Sequence, residues 1–349
     1  MKKHQKLFLF SSIGLVTILL WLALIFPLPY YIESPGGASD IRSVLTVENK
    51  EDSAKGSYNF VYVQVKSATA IQLLMAYFDK NSDIYTEKEM TGGSNSEDYY
   101  RISQFYMETS QNMAKYQALK LAGEEASMDF FGVYVLNVVD NSTFKSVLNI
   151  ADTVTGVNGK TFQSSKELID YVGGLKIGDK VSVQYASQNQ KLSADGKIIK
   201  LENGKNGIGI GLVDHTEVKS DTAIDFETGN IGGPSAGLMF TLAIYTQLAN
   251  PDLRDGRTIA GTGTIEQDGS VGDIGGADKK VLSAAKAGAS VFFVPNNPVN
   301  KEVLKVKPDA KTNYEEAKKA AEENHLHIKV VPVKTVQDAI DYLEKTKGE

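Results

Sequence analysis

Ser235 and Lys280 are the two side chains of this sequence whose surroundings best suit chemistry. Gly232-Gly233-Pro234-Ser235-Ala236-Gly237 sets a serine where strand-like sequence gives way to an apolar helix, Ala236 to Leu248. Its core fits Gly-x-Ser-x-Gly, a nucleophile-elbow pattern that glycine-rich loops also produce by chance. With a base beside it, such a hydroxyl attacks an acyl carbonyl. Gly275-Gly276-Ala277-Asp278-Lys279-Lys280-Val281-Leu282 opens a second helix that runs to about Gly288. Ala277, Lys280, Val281, Ala284, Ala285 and Gly288 share one of its faces. Lys280 is therefore the one charge on an apolar stripe, and Lys279 is expected with Ser283 and Lys286 on the solvated side. A buried ammonium loses hydration and its pKa falls, and a neutral amine can take a serine's proton near pH 7. A lysine whose stem packs while its head reaches water makes the same pattern. The residues alone leave both open.

Three arrangements therefore compete for Ser235. It could be a hydrolase elbow served by a downstream histidine, for which only His325 and His327 qualify. It could be a helix-capping loop without chemistry, or a serine activated by a lysine. His325 and His327 would point to one side of a strand, and no pair among the four histidines has the spacing of a helical zinc site. The absence of cysteine removes disulfides, thiol nucleophiles and cysteine-bound zinc. A net charge of -6 argues against a nucleic-acid partner. Gly159-Lys160-Thr161 is not a phosphate loop, because the motif's first glycine would fall on Val154. No metal, nucleotide or other cofactor is expected.

The elements that must position these residues follow from pattern. Leu7 to Leu28 carries no charge and is long enough for a transmembrane helix. Lys2, Lys3 and Lys6 precede it and no Lys or Arg follows until Arg42. The positive-inside rule then puts residues 1–6 in the cytoplasm and everything after the anchor outside the cell. A cleaved signal would have a shorter apolar core, and Pro27, Pro29, Tyr30 and Tyr31 form a collar suited to a membrane interface. Tyr31 to Gly37 reads as an irregular exit segment, Tyr58 to Val65 as a strand, Ala68 to Tyr77 as a helix and Lys80 to Ser96 as a loop. Asp98 to Gly123 reads as a long helix packed through Ile102, Phe105, Tyr106, Met113 and Leu119.

Residues 132–185 have another texture. Val133 to Val139 is a strand, Ser142 to Leu148 a short helix, and Ala151 to Lys160 a strand closing in an Asn-Gly turn. Ser164 caps a helix to Val172, and Gly178-Asp179-Lys180 turns into the strand Val181 to Tyr185. The order of Phe131-Gly132-Val133-Tyr134, Val157-Asn158-Gly159-Lys160 and Gly178-Asp179-Lys180-Val181 resembles a PDZ domain of the bacterial protease-associated kind. The resemblance implies that Phe131, Gly132, Val133 and Tyr134 form a loop receiving a peptide carboxylate, beside a strand edge that accepts the peptide as an added strand.

Gly-Pro-Ser-Ala-Gly before an apolar helix resembles the nucleophile motif of the Lon family of serine–lysine peptidases. Ile259-Ala260-Gly261-Thr262-Gly263-Thr264-Ile265, then Gly269, Val271 and Ile274-Gly275-Gly276, resemble its next stretch. Val291 to Asn296 and Ile328 to Val333 resemble its later strands, so the likeness covers about 207 to 345. It implies Ser235 as nucleophile, Lys280 as base and Thr262 as the support of the lysine amine. Gly232 and Gly233 would let the backbone approach closely, and Ser235 N–H would be the first oxyanion donor. The family's ATPase modules are missing. Position 232 is Gly where an acidic residue is often found, and Thr264 stands at another acidic position. The whole order resembles membrane-bound Lon-like proteases of Gram-positive bacteria, some of which trim peptide pheromones.

The expected fold is α+β: a Lon-type proteolytic domain with an inserted PDZ domain, after a single transmembrane helix. The expected segments are 1–6, 7–28, 31–122, 123–200 and 201–349. The expected function is ATP-independent endopeptidase action on extracellular peptides or unfolded proteins. The expected partners are those substrates and the membrane, without nucleic acid or nucleotide, and homo-oligomers are left open. An inert anchored peptide-binding scaffold and a histidine-dependent esterase are the rivals.

Overall fold

The computed structural model describes residues 2–92, 94–188 and 190–348, with side chains from Ile13 onward. Helix α1 (Lys2–Ile25) leads into the strand β1 (Pro27–Asp40). The first part of the expected membrane span, 7–12, lies outside the described side chains. Among the described residues no helix is long and apolar enough to cross a membrane. The expected exit segment is part of β1, a 14-residue strand. Its prolines fit because β4 (Asp83–Thr86) pairs only with Tyr30 to Glu33, leaving Pro27, Pro29 and Pro35 outside that ladder. A register shift falls between Pro35 and Gly37, and a Cβ on Gly36 would lie 2.5 Å from Tyr62 O.

A 3₁₀ turn at Ile41–Ser43 follows, then β2 (Leu45–Val47), β3 (Ser57–Thr69) and α2 (Ala70–Phe78). The span 80–96, expected as a loop, instead holds β4 and α3 (Glu87–Thr91), the helix started by a Thr86–Glu89 capping box. Helix α4 (Ser96–Ala122) is the expected long helix, capped by Asn95 and ended by Gly123 in the left-handed region.

The next elements are β5 (Ser127–Val138), β6 (Thr153–Val157), α5 (Ser165–Gly173), β7 (Lys180–Ser187) and β8 (Gln190–Lys197). Two short strands, β9 (Ile199–Lys200) and β10 (Asn206–Gly207), precede β11 (Ile210–Lys219). Ser164 caps α5 as expected. The helix expected at 142–148 is a run of turns, in which Ser142 Oγ donates to Ile208 O and accepts from Phe144 N–H. The sheet runs β11-β5-β6-β7-β8 and closes over its own core of Val133, Val135, Phe144, Val154, Val183 and Ile198.

The chain then forms β12 (Ile224–Phe226), α6 (Gly237–Ala249), β13 (Thr258–Gly261), β14 (Thr264–Ile265), β15 (Val271–Gly272) and α7 (Ala277–Lys286). It ends with β16 (Val291–Pro295), α8 (Lys301–Val306), α9 (Asn313–Glu323), β17 (Lys329–Val333) and α10 (Val336–Lys345). One six-stranded sheet, β17-β16-β13-β3-β1-β4, joins strands from before β5 and from after β11. Its central strands are covered on both faces, so they read as apolar runs. Phe60 and Phe293 belong to the core with α6 and α4, while their neighbours Val61 and Phe292 belong to the core with α7 and α9. Asp52 and Arg254 form a doubly hydrogen-bonded ion pair of 2.6 Å contacts at this sheet's margin.

Candidate active site

Ser235 lies in the turn before α6. Gly233 takes φ +90, which favours glycine, and its N–H donates to Ser103 O at 2.8 Å. A Cβ on Gly232 would meet Ser103 Cβ at 2.7 Å. Ser110 Oγ donates to Pro234 O at 2.9 Å. Two serines of α4 thus pin the loop from one side. From the other, Gly263 N–H and Thr262 Oγ1 donate to Ser235 O at 2.9 and 3.2 Å. Spacing in the sequence gives no sign of Ser103 or Ser110, because their role depends on α4 crossing α6.

Lys280 occupies the first turn of α7. Its Nζ donates to Ser235 Oγ at 2.9 Å and to Thr262 Oγ1 at 3.2 Å. Lys280 is 4% exposed and Thr262 is fully buried. Burial pushes the Lys280 amine down to about 8, opposed by the charge of Glu33. The structure therefore brings Ser235, Lys280 and Thr262 together. His325 and His327 are exposed, in the turn between α9 and β17, and neither is hydrogen-bonded to Ser235.

Lys279 departs from expectation. It is buried, as is Ser283, and only Lys286 of the expected solvated set is exposed. β1 and β4 close over that side of α7, and Lys279 Nζ meets Asp83, Asp278 at 3.1 Å and Glu33 at 3.7 Å. Burial lowers the Lys279 pKa, but the carboxylates of Asp83 and Asp278 outweigh it and the net shift is upward. The adjacent lysines are thus driven apart, one toward the neutral amine and one fixed as a cation. Burial also raises the Glu33 carboxyl, against the pull of Lys279.

Phe131, Gly132, Val133 and Tyr134 form no open loop. They lie inside β5, where Gly132, Val133 and Tyr134 pair with His215, Asp214 and Val213 of β11. On the other side Val133 and Tyr134 pair with Val154 and Thr153 of β6. Tyr134 is stacked between Phe105 of α4 and His215, with ring centroids 4.2 and 4.0 Å apart, and its hydroxyl donates to Glu108. His215 had no role in the sequence reading. Its signal was hidden because Phe105, Tyr134 and His215 come from three separate elements.

A cavity of about 350 Å³ borders the serine loop at Pro234. Tyr106 and Met113 of α4, Leu212 of β11 and Ile265 of β14 give it an apolar wall, and Asp214 and Glu266 give it two carboxylates. Among the described residues no cluster of His, Asp or Glu could hold a metal ion.

A serine hydroxyl bonded to a buried, partly neutralised lysine defines a serine peptidase of the Ser–Lys dyad type. Residues 210–341 match the model of the Lon protease (S16) C-terminal proteolytic domain, and residues 103–198 match that of a PDZ domain. The chain thus carries both. It is 27% identical over 200 residues to a Lon protease of Ureaplasma parvum, covering 56% of this chain and 24% of that protein. It is 36% identical over 88 residues to Lon protease 1 of Hydrogenovibrio crunogenus, covering 25% of this chain and 11% of that protein. The chain therefore spans about a quarter or less of these curated relatives. Among solved structures it is similar to the PDZ domain of an SdrC-like protein from Listeria monocytogenes, at 39% identity over 24% of this chain and 90% of that one, with a TM-score of 0.23.

Proposed function

We propose that this chain is an ATP-independent, membrane-anchored endopeptidase that cleaves extracellular peptides or unfolded proteins, peptide pheromones among them. The observation that carries the catalytic part is the 2.9 Å contact between Lys280 Nζ and Ser235 Oγ, with the lysine only 4% exposed. Neutral Lys280 takes the Ser235 proton as Oγ bonds to the peptide carbonyl carbon. The resulting ammonium gives that proton to the leaving nitrogen as the C–N bond breaks. Lys280 then takes a proton from water as its oxygen bonds to the acyl carbon, and returns that proton to Oγ as the C–Oγ bond breaks and the acid leaves. Thr262 holds the amine. Ser235 N–H, at the start of α6 where the helix dipole favours negative charge, stabilises the oxyanion. The cavity beside Pro234 receives a substrate side chain flanking the scissile bond.

The PDZ unit is read as an insertion in the proteolytic domain, because strands on both sides of it share the six-stranded sheet. It supplies the peptide-binding surface, and strand addition along β5 competes with β11. Exposed apolar side chains around α1, from Ile13 to Ile25, support the anchor. The lysines before them support a cytoplasmic N-terminus with the catalytic domain outside. The test is incubation of the full chain with unfolded proteins and secreted peptides, without ATP, followed by mass spectrometry. Ser235→Ala and Lys280→Ala should each abolish cleavage with the fold intact. Cleavage retained in either, or lost in His325→Ala or His327→Ala, would overturn the dyad. No cleavage by the wild type would favour an inert peptide-binding scaffold.

A further inference from the structure

We propose that α2 is a second, peripheral membrane contact, its apolar face seated in the headgroup–acyl boundary of a lipid bilayer where α1 leaves it. This rests on the reading of α1 as an anchor. Ile71, Leu74, Met75 and Phe78 recur at the spacing of one helical face, with Tyr77 at its side. Leu74, Met75, Tyr77 and Phe78 are 59%, 68%, 76% and 77% exposed. Ala76, on the opposite side, is buried. Ile71 and Leu73 are half-buried, so the helix leaves Leu74, Met75, Tyr77 and Phe78 outward, forgoing about 1.5–3 kcal/mol for each such side chain left in water.

Position identifies the occupant. Pro27, two residues beyond the end of α1, stands opposite Thr69, the N-cap of α2, in the β1–β3 ladder. The exit of α1 and the entry of α2 are thus at one end of the same strand pair, and α2 packs against α1. Leu24, Ile25 and Phe26 at the end of α1 are also exposed. Tyr77 and Phe78 meet edge to face at 5.2 Å, and aromatic side chains favour the membrane interface.

The chain's one tryptophan, Trp21, lies on α1 and is a native reporter of that helix. The full chain is reconstituted into vesicles of phosphatidylcholine and phosphatidylglycerol with brominated acyl chains. Trp21 is read in the wild type, and the α2 face is read in a Trp21→Phe/Tyr77→Trp variant. The variant's emission should shift to the blue and fall at least twofold with bromine placed near the headgroups. Quenching of Trp21 without quenching at position 77 would overturn the α2 contact and leave the anchor standing. Quenching at position 77 without quenching of Trp21 would remove the anchor and, with it, overturn the placement of α2 at the point where α1 leaves the bilayer. Quenching of neither would remove both. A blue shift at position 77 that needs no lipid and grows with protein concentration would assign the face to a second copy and overturn the proposal.

Discussion

Thr262 stands between the two halves of the site: its hydroxyl lies 3.2 Å from Lys280 Nζ and donates to the carbonyl of Ser235. One buried oxygen therefore fixes the amine relative to the backbone of the residue it activates. Thr262→Val removes that oxygen at nearly constant volume. It should lower kcat on the order of 10- to 100-fold, the loss typical of misplaced reacting groups, with KM little changed. Thr262→Ser should restore most of the rate. Equal rates in the two variants would remove the positioning role.

The depressed Lys280 amine sets the pH profile. The base form grows as pH rises, so kcat/KM should climb through about 8 and level off above it. Stability has the matching sign. Between the folded value of about 8 and the ordinary lysine value of 10.5, the unfolded chain binds more protons, so stability rises with pH across that window. Below it the buried ammonium is a constant cost. Lys280→Met should abolish cleavage yet raise stability at pH 7 by roughly 1–3 kcal/mol, measured by urea titration at pH 7 and pH 10.

The Asp52–Arg254 pair is a structural counterpart without a catalytic role. Asp52→Ala would leave the Arg254 guanidinium buried and short of its carboxylate, at a cost of about 3–5 kcal/mol. Burial opposes ionisation of Asp52, but the hydrogen bond and charge of Arg254 lower its pKa overall. Its stabilisation is therefore complete above the ordinary carboxylate range and lost as pH falls through the depressed value. Thermal unfolding of both proteins between pH 7 and pH 3 should show the gap closing with acid.

The Ser110–Pro234 bond predicts a local effect on the nucleophile loop. Ser110→Ala leaves the Pro234 carbonyl only the 3.4 Å bond from Gly237 N–H and should lower kcat about tenfold and stability by about 1 kcal/mol. Gly232→Val, which drives a side chain into Ser103, should lower both.

The cavity beside Pro234 predicts selectivity. Met113→Trp should fill it and lower kcat/KM on the order of tenfold for substrates with Leu, Met or Phe beside the scissile bond. Gly or Ala at that site should be cleaved as before. A uniform loss across substrates would dissociate the cavity from specificity.

Much of the candidate site was legible because its parts are local. Ser235 announces itself by the glycines around it, and Lys280 by being the charge on an apolar face. Lys279 was misplaced for a physical reason: helical periodicity reports one buried face, whereas α7 is covered from two sides. β1 was hidden by prolines that are harmless beyond the four residues paired with β4. The fate of Phe131 to Tyr134 was illegible because it depends on β11, a strand nearly 80 residues further on.

The strand β11 closes the PDZ sheet and is also the start of the segment that runs through β12 to Ser235. A ligand that took its place beside β5 would release one end of a tether whose other end is the nucleophile loop. Peptide occupancy of the PDZ sheet and the geometry of Ser235 are then linked equilibria. Whatever factor the first imposes on substrate affinity at the serine, substrate bound at the serine must impose in return on the first.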